Sequence, residues 1–139
     1  GAILHDIGKI AIDERILRKP RPLNVREKAI MDSHPVIGAN IVEGIAFLKE
    51  AQPIIRSHHE RYNGQGYPLG LRGGDISTGA RILALADSFD AMTTLRPYRP
   101  PMSKEQALAE VQKYAGTQFD PLAAAAFVEQ MEGEGRRTG

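Results

Sequence analysis

Proline and glycine set the length of everything this chain can build. Nine prolines and fourteen glycines are spread over 139 residues. A proline cannot sit inside a helix or a central strand without loss, and it restrains the residue before it. Between these breaks the apolar residues recur at helical spacing, and no segment alternates apolar and polar residues as a half-buried strand does. The chain is therefore read as all-α, a set of short helices joined by tight turns.

Local punctuation fits that reading. Asp13 is placed to cap a short helix through Leu17. Asn24 with Glu27, and Ser103 with Gln106, have capping-box spacing, the first opening a helix over 25–33. Gly116 closes the helix that Ser103 opens, and Asp120 with Pro121 starts the last one. Gly1 to Ile7 reads as the final turns of a helix, with Gly8 as the residue that ends it. Pro35 to Glu43 offers Val36, Ile37, Ile41 and Val42 as its apolar face, and a helix over 46–59 is expected to kink at Pro53. The segment 79–94 looks buried nearly all round, with Ile82, Leu83, Leu85, Ala86, Phe89 and Met92. Residues 60–78 have no helical period and hold Gly64, Gly66, Gly70, Gly73, Gly74 and Pro68. A loop of that length in a compact domain is more often functional than idle. One domain over 1–131 is expected, with 132–139 as a flexible tail.

Some functions are removed at once. The chain has no cysteine, so it can form no disulfide, thiolate nucleophile or Cys-ligated metal site. A net charge of +1 weighs against a nucleic-acid polymer as partner. No apolar run approaches the roughly 18 residues of a membrane span, and the start lacks a signal peptide's basic and apolar regions. The cytoplasm is the expected compartment. The chain opens straight into Ala2-Ile3-Leu4 and His5-Asp6, as a fragment of something longer would.

The four histidines carry the chemistry: His5 beside Asp6, His34 before Pro35, and the pair His58-His59 before Glu60. Imidazole and carboxylate are the natural ligands of first-row metals where thiolates are missing. Two ligand pairs and a singlet could converge on an ion, or they could be scattered surface and core residues. Asp87 lies in the apolar helix 79–94, where a buried carboxylate needs a cation or donors. Its alternatives are a metal and an ion pair with Arg81 or Arg96. Asp90, one turn on, is either an orienting group or an ordinary polar contact. Lys9 could serve as a helix-end cation, and Tyr67 as a loop aromatic packed on the helices. Arg15, Arg18, Lys19, Arg21, Arg26 and Lys28 form a basic stretch that is either a solvated face or a phosphate-binding one.

The series His5-Asp6-Ile7-Gly8-Lys9, His34-Pro35, His58-His59-Glu60, Gly64-Gln65-Gly66-Tyr67-Pro68, Ala80-Arg81-Ile82 with Ala86-Asp87, and Arg96-Pro97-Tyr98-Arg99 resembles the HD-GYP family of HD-type metal phosphohydrolases. The likeness runs from residue 2 to about 127. It implies an HD-type helical bundle around the Gly-rich loop 60–78, and hydrolysis of cyclic di-GMP to pGpG or GMP in bacterial signalling. The implied cofactors are two divalent metals, with a third in a complete domain. They are iron or manganese, with zinc, nickel or magnesium as alternatives. By the same resemblance His5, Asp6 and Asp87 are ligands of one metal, and His34, His58 and His59 of its neighbour, with Asp6 as the bridging carboxylate. Asp6 and Lys9 are then catalytic, and Lys9, Tyr67 and Arg96 contact substrate. The family's upstream helix, which carries a further histidine ligand, has no counterpart here. Its loss is expected to weaken the first metal and to bare an apolar strip that favours a homodimer. A sensor or receiver domain is expected upstream. Two other readings stay open: a phosphohydrolase of another nucleotide or cyclic dinucleotide, and an inactive module that docks through its loop on a partner such as a diguanylate cyclase domain.

Overall fold

The computed structural model describes residues 1–97 and 99–137, without the side chains of 135–137. Tyr98, part of the Arg96–Arg99 motif, lies outside the described residues. Among the described residues seven helices follow one another: α1 (Glu14–Leu17), α2 (Val25–Met31), α3 (His34–Val42), α4 (Gln52–Ser57), α5 (Thr78–Thr93), α6 (Lys104–Lys113) and α7 (Pro121–Arg137). Short 3-10 turns at Ile7–Ala11, Ala46–Leu48 and Gly73–Asp75 join them. No strand forms among the described residues, and no helix there is long and apolar enough to cross a membrane.

The caps are where the side chains put them. Asp13 accepts from the Arg15 amide, and both capping boxes close, Asn24 with Glu27 and Ser103 with Gln106. Asp120 accepts from Leu122 and Ala123 at the start of α7, and Gly116 takes a φ of 84° after α6. Helix α7 continues to Arg137, into the stretch expected as a tail. Pro53 opens α4 instead of kinking a longer helix, because a proline near a helix start forfeits no hydrogen bond.

Two small cores stand side by side. One is Ala39, Val42, Ala51 and Ile55 between α3 and α4, with Leu4 and Leu48 against it. The other joins α5, α6 and α7 through Leu85, Leu108, Val111, Phe119, Ala124 and Val128. The pair Arg81–Asp120 fastens the start of α5 to the cap of α7. Some apolar residues expected inside are not. Phe47 is 87% exposed and Ile82 54%, and Ile41 is exposed too. Helix α5 is thus covered on one side only, by α4, α6 and α7.

Gly8 differs most from its expected role. Residues 7–11 form a 3-10 turn, and Gly8 does not take the positive φ of a helix-ending glycine. It is buried against the first turn of α3. A Cβ there would lie 2.8 Å from the His34 carbonyl carbon and 2.7 Å from the Gly38 nitrogen. The missing side chain lets the segment carrying His5 and Asp6 press against the helix that begins at His34.

Candidate metal centre

The ends of the first core's elements converge on one point. Asp6 precedes the 3-10 turn, His34 is the first residue of α3, and His58 and His59 follow α4. The nitrogens of the three histidines and a carboxylate oxygen of Asp6 all lie within 4.8 Å of one another. Oδ1 of Asp6 is 3.2 Å from Nε2 of His34 and 3.7 Å from Nε2 of His58, and those two nitrogens are 3.3 Å apart.

The backbone sets which nitrogen faces inward. Nδ1 of His34 donates to the Met31 carbonyl at 2.7 Å, and Nδ1 of His58 to the Ile55 carbonyl at 2.7 Å. Each Nε2 is left with a lone pair pointing at the other and at a carboxylate. Three acceptors around one point repel unless a cation lies among them. His34 and His58 are both only 2% exposed, so bulk water offers their nitrogens few donors. The donor set therefore fits a divalent ion. His59 is held neutral, its pKa pushed down to about 3 by burial and by His58 and His34 nearby.

Oδ2 of Asp6 faces the other way. It is 3.3 Å from Nε2 of His5 and accepts from Nζ of Lys9 at 3.1 Å. Nδ1 of His5 lies 2.6 Å from the Ala2 carbonyl, and its Nε2 is 3.7 Å from Oδ1 of Asp87. Asp87 is not the buried carboxylate that the sequence suggested. Its side chain is 47% exposed, because α5 is bare on that face, and Arg81 is already paired with Asp120. Asp90 is exposed and accepts from the Thr94 hydroxyl.

Beside the cluster opens a cleft of about 380 Å³, bordered by His58, His59, Arg61, Tyr67, Asp87 and Gln118 among others. Tyr67 stacks on His59, with ring centroids 4.9 Å apart and an interplanar angle of 16°. Nζ of Lys28, which is paired with Asp32, lies 5.4 Å from the Tyr67 ring centre. Burial and the Asp32 carboxylate push the Tyr67 hydroxyl well above its usual range. One ring face thus supports His59 and is not open to a nucleobase. Gly66 is obligatory for this, since a Cβ would fall 2.6 Å from the His59 carbonyl and from Cα of Glu60.

Arg96 is not among the residues that border the cleft. It stands exposed beyond α5 in a segment that folds back so that the Met102 amide donates to the Met92 carbonyl. Arg99 instead lines a recess that shares Ser88, Ala91 and Gln118 with the cleft.

Glu60 is a residue whose role the sequence did not disclose. It is 4% exposed, and its carboxylate accepts from the amides of Leu69 at 2.7 Å and Leu71 at 3.0 Å. It ties the long loop to the segment carrying His58 and His59. A carboxylate followed at once by a Gly-rich loop, full of amides with no helix to join, was the available clue.

Comparison with known proteins agrees with this geometry. Residues 1–122 match the HD domain family HD_5. The chain is 43% identical over 129 residues to a cyclic di-GMP phosphodiesterase of Thermotoga maritima, covering 91% of this chain and 35% of that protein. It is 44% identical over 122 residues to the cyclic di-GMP phosphodiesterase response regulator RpfG of Xanthomonas campestris, covering 86% and 32%. A 3′3′-cGAMP-specific phosphodiesterase 2 of Vibrio cholerae is 41% identical over 120 residues, covering 85% and 23%. The chain thus spans about a third or less of these relatives' lengths. The crystal structure of a cyclic GMP-AMP specific phosphodiesterase of V. cholerae shares the fold, with a TM-score of 0.67 at 24% identity over 96% of this chain and 37% of that one. The chain belongs to the HD domain family, in its HD-GYP branch.

Proposed function

We propose that this chain is the catalytic domain of a metal-dependent phosphodiesterase that cleaves a cyclic dinucleotide, cyclic di-GMP before others, to pGpG or GMP. The observation that carries the reading is the meeting of Asp6, His34, His58 and His59 at the mouth of an open cleft. The relatives named cyclic di-GMP phosphodiesterases support the substrate class. In this reading Asp6, His34, His58 and His59 would hold one divalent ion, and Asp6, His5 and Asp87 would hold a second. Histidine and carboxylate without thiolate suit iron or manganese. Such ions, when bound, polarise a phosphoryl oxygen and lower the pKa of water. The chain's own residues do the rest. The carbonyls of Met31 and Ile55 fix the imidazole tautomers, and Tyr67 holds the His59 ring. Lys9 keeps Asp6 ionised and sets a positive charge beside the phosphate.

The test is turnover by metal-stripped protein to which manganese or iron(II) is restored, followed by chromatography. Metal-dependent appearance of pGpG or GMP supports the reading. Binding of cyclic di-GMP without turnover under any metal would favour a docking module, such as one for a diguanylate cyclase domain. The V. cholerae relative specific for 3′3′-cGAMP makes that dinucleotide the second substrate to try. Faster cleavage of it would move the specificity there.

A further inference from the structure

Arg61 follows the ligand pair at one residue's remove and lines the cleft beside His58, His59 and Asp87. Its guanidinium makes no hydrogen bond or ion pair with any described residue, and its Nε is closed off from solvent with no acceptor. The contrast with the other arginines is sharp. Arg15, Arg18 and Arg81 are paired with Asp13, Glu14 and Asp120, half-buried Arg56 donates to Oδ1 of Asn40 at 3.5 Å, and Arg21, Arg26, Arg72, Arg96 and Arg99 are exposed to water. A half-buried guanidinium with no anionic partner in the chain is a cost that a fold keeps when something outside it meets the accessible end of the group.

The backbone at Arg61 is also held still. Its carbonyl accepts from the Gly64 amide at 2.9 Å, and the next residue, Tyr62, donates its amide to the Gln118 carbonyl at 3.1 Å. Gly66 packs against the Arg61 backbone nitrogen so closely that a Cβ there would collide with it. An unpaired guanidinium carried on a fixed backbone at the wall of an open cleft suits a planar anion or a phosphate.

A cyclic dinucleotide carries two phosphodiesters. With one of them at the histidine cluster, the remainder of the molecule must occupy the adjoining cleft. We propose that Arg61 binds the phosphate of the substrate that is not being cleaved, and so selects for ligands with a second phosphodiester. This rests on the cyclic-dinucleotide reading above. It assigns Arg61 to binding and not to the bond-breaking step.

The experiment is equilibrium binding of a non-hydrolysable phosphorothioate analogue of cyclic di-GMP to the manganese-loaded chain by calorimetry, for wild type, Arg61→Gln and Arg61→Lys. Turnover of cyclic di-GMP in the same manganese buffer accompanies it. A charge-assisted fork to phosphate is worth about 10- to 100-fold in affinity. Arg61→Gln should bind the dinucleotide weaker by that factor and raise KM by a similar one. Its kcat should move much less, and its manganese affinity should match wild type. Arg61→Lys, which keeps the charge but not the fork, should fall between. Arg61→Gln with unchanged dinucleotide affinity and KM overturns the proposal. So does a loss confined to kcat. Wild-type protein that binds no cyclic dinucleotide at all overturns the substrate reading itself, and this proposal with it. If Arg61→Gln shows a lowered unfolding midpoint, Arg61→Lys alone decides, by the same comparison of affinity and KM.

Discussion

Replacing Gly8 with alanine should break the metal centre without touching a ligand. The added Cβ would overlap the His34 carbonyl oxygen and sit 2.8 Å from that group's carbon. Carbon atoms rest at about 3.5 Å or more, so the 3-10 turn and α3 must separate by more than the roughly 0.7 Å that the carbon contact alone requires. The opposing atoms are backbone, not the end of a flexible side chain, so there is no cheap way to yield. Overpacking of this sort costs about 1–3 kcal/mol. That is well inside the roughly 5–15 kcal/mol by which a domain is stable, so the variant should remain folded. The site will tolerate the shift far less. His34 begins the displaced turn, and its Nε2 is 3.2 Å from Oδ1 of Asp6 across the same seam. Metal–ligand distances hold within about 0.2 Å, so a movement several times larger removes His34 or Asp6 as a ligand. We expect manganese or cobalt affinity to fall about 100-fold or more, measured by calorimetry, together with a lowered urea midpoint. Gly44→Ala is the control, because nothing lies within 4 Å of a Cβ there. Gly8→Ala with the midpoint and metal affinity of Gly44→Ala would refute the reasoning.

Three further outcomes follow from the site. Glu60→Gln leaves one of the two loop amides without its carboxylate oxygen; urea unfolding should show a loss of about 1–2 kcal/mol, and an unchanged midpoint would remove Glu60 as the loop's anchor. Tyr67→Phe keeps the stack on His59 and should keep cobalt affinity, whereas Tyr67→Leu loses the stack and should weaken it about tenfold, as loss of a ligand's support does. Equal cobalt titrations for the two variants would mean the ring does not position His59. Asp87→Asn, at a half-exposed carboxylate, should change stability by no more than about 0.5 kcal/mol. It should still abolish most metal-dependent turnover, and intact turnover would strike Asp87 from the second ion's ligands.

The helices were legible because their signals are local. Asn24 with Glu27, Ser103 with Gln106, and Asp120 with Pro121 each state a helix start within four residues, and each cap forms. The meeting of Asp6, His34, His58 and His59 was implied by the resemblance to the HD-GYP family, whereas their spacing alone left convergence and scatter both open. What failed was whatever depended on distant packing. Gly8 looks the same in sequence whether it ends a helix or lets two segments touch, and only its neighbour α3 decides. Asp87 sits among apolar residues, yet their number says nothing about which face of α5 is covered. Pro53 could bend a helix or open one, and the answer lies in where the preceding 3-10 turn stops. Arg61 gave no sign at all, because an unpaired guanidinium is a statement about every other residue in the fold.

The most direct test of the central claim is an anomalous-difference map from crystals of this chain grown with manganese. The account predicts a peak bounded by Oδ1 of Asp6, Nε2 of His34, Nε2 of His58 and the ring of His59, with both Nδ1–carbonyl hydrogen bonds to Met31 and Ile55 intact. A map with no peak there, in crystals whose manganese is bound elsewhere, would contradict it.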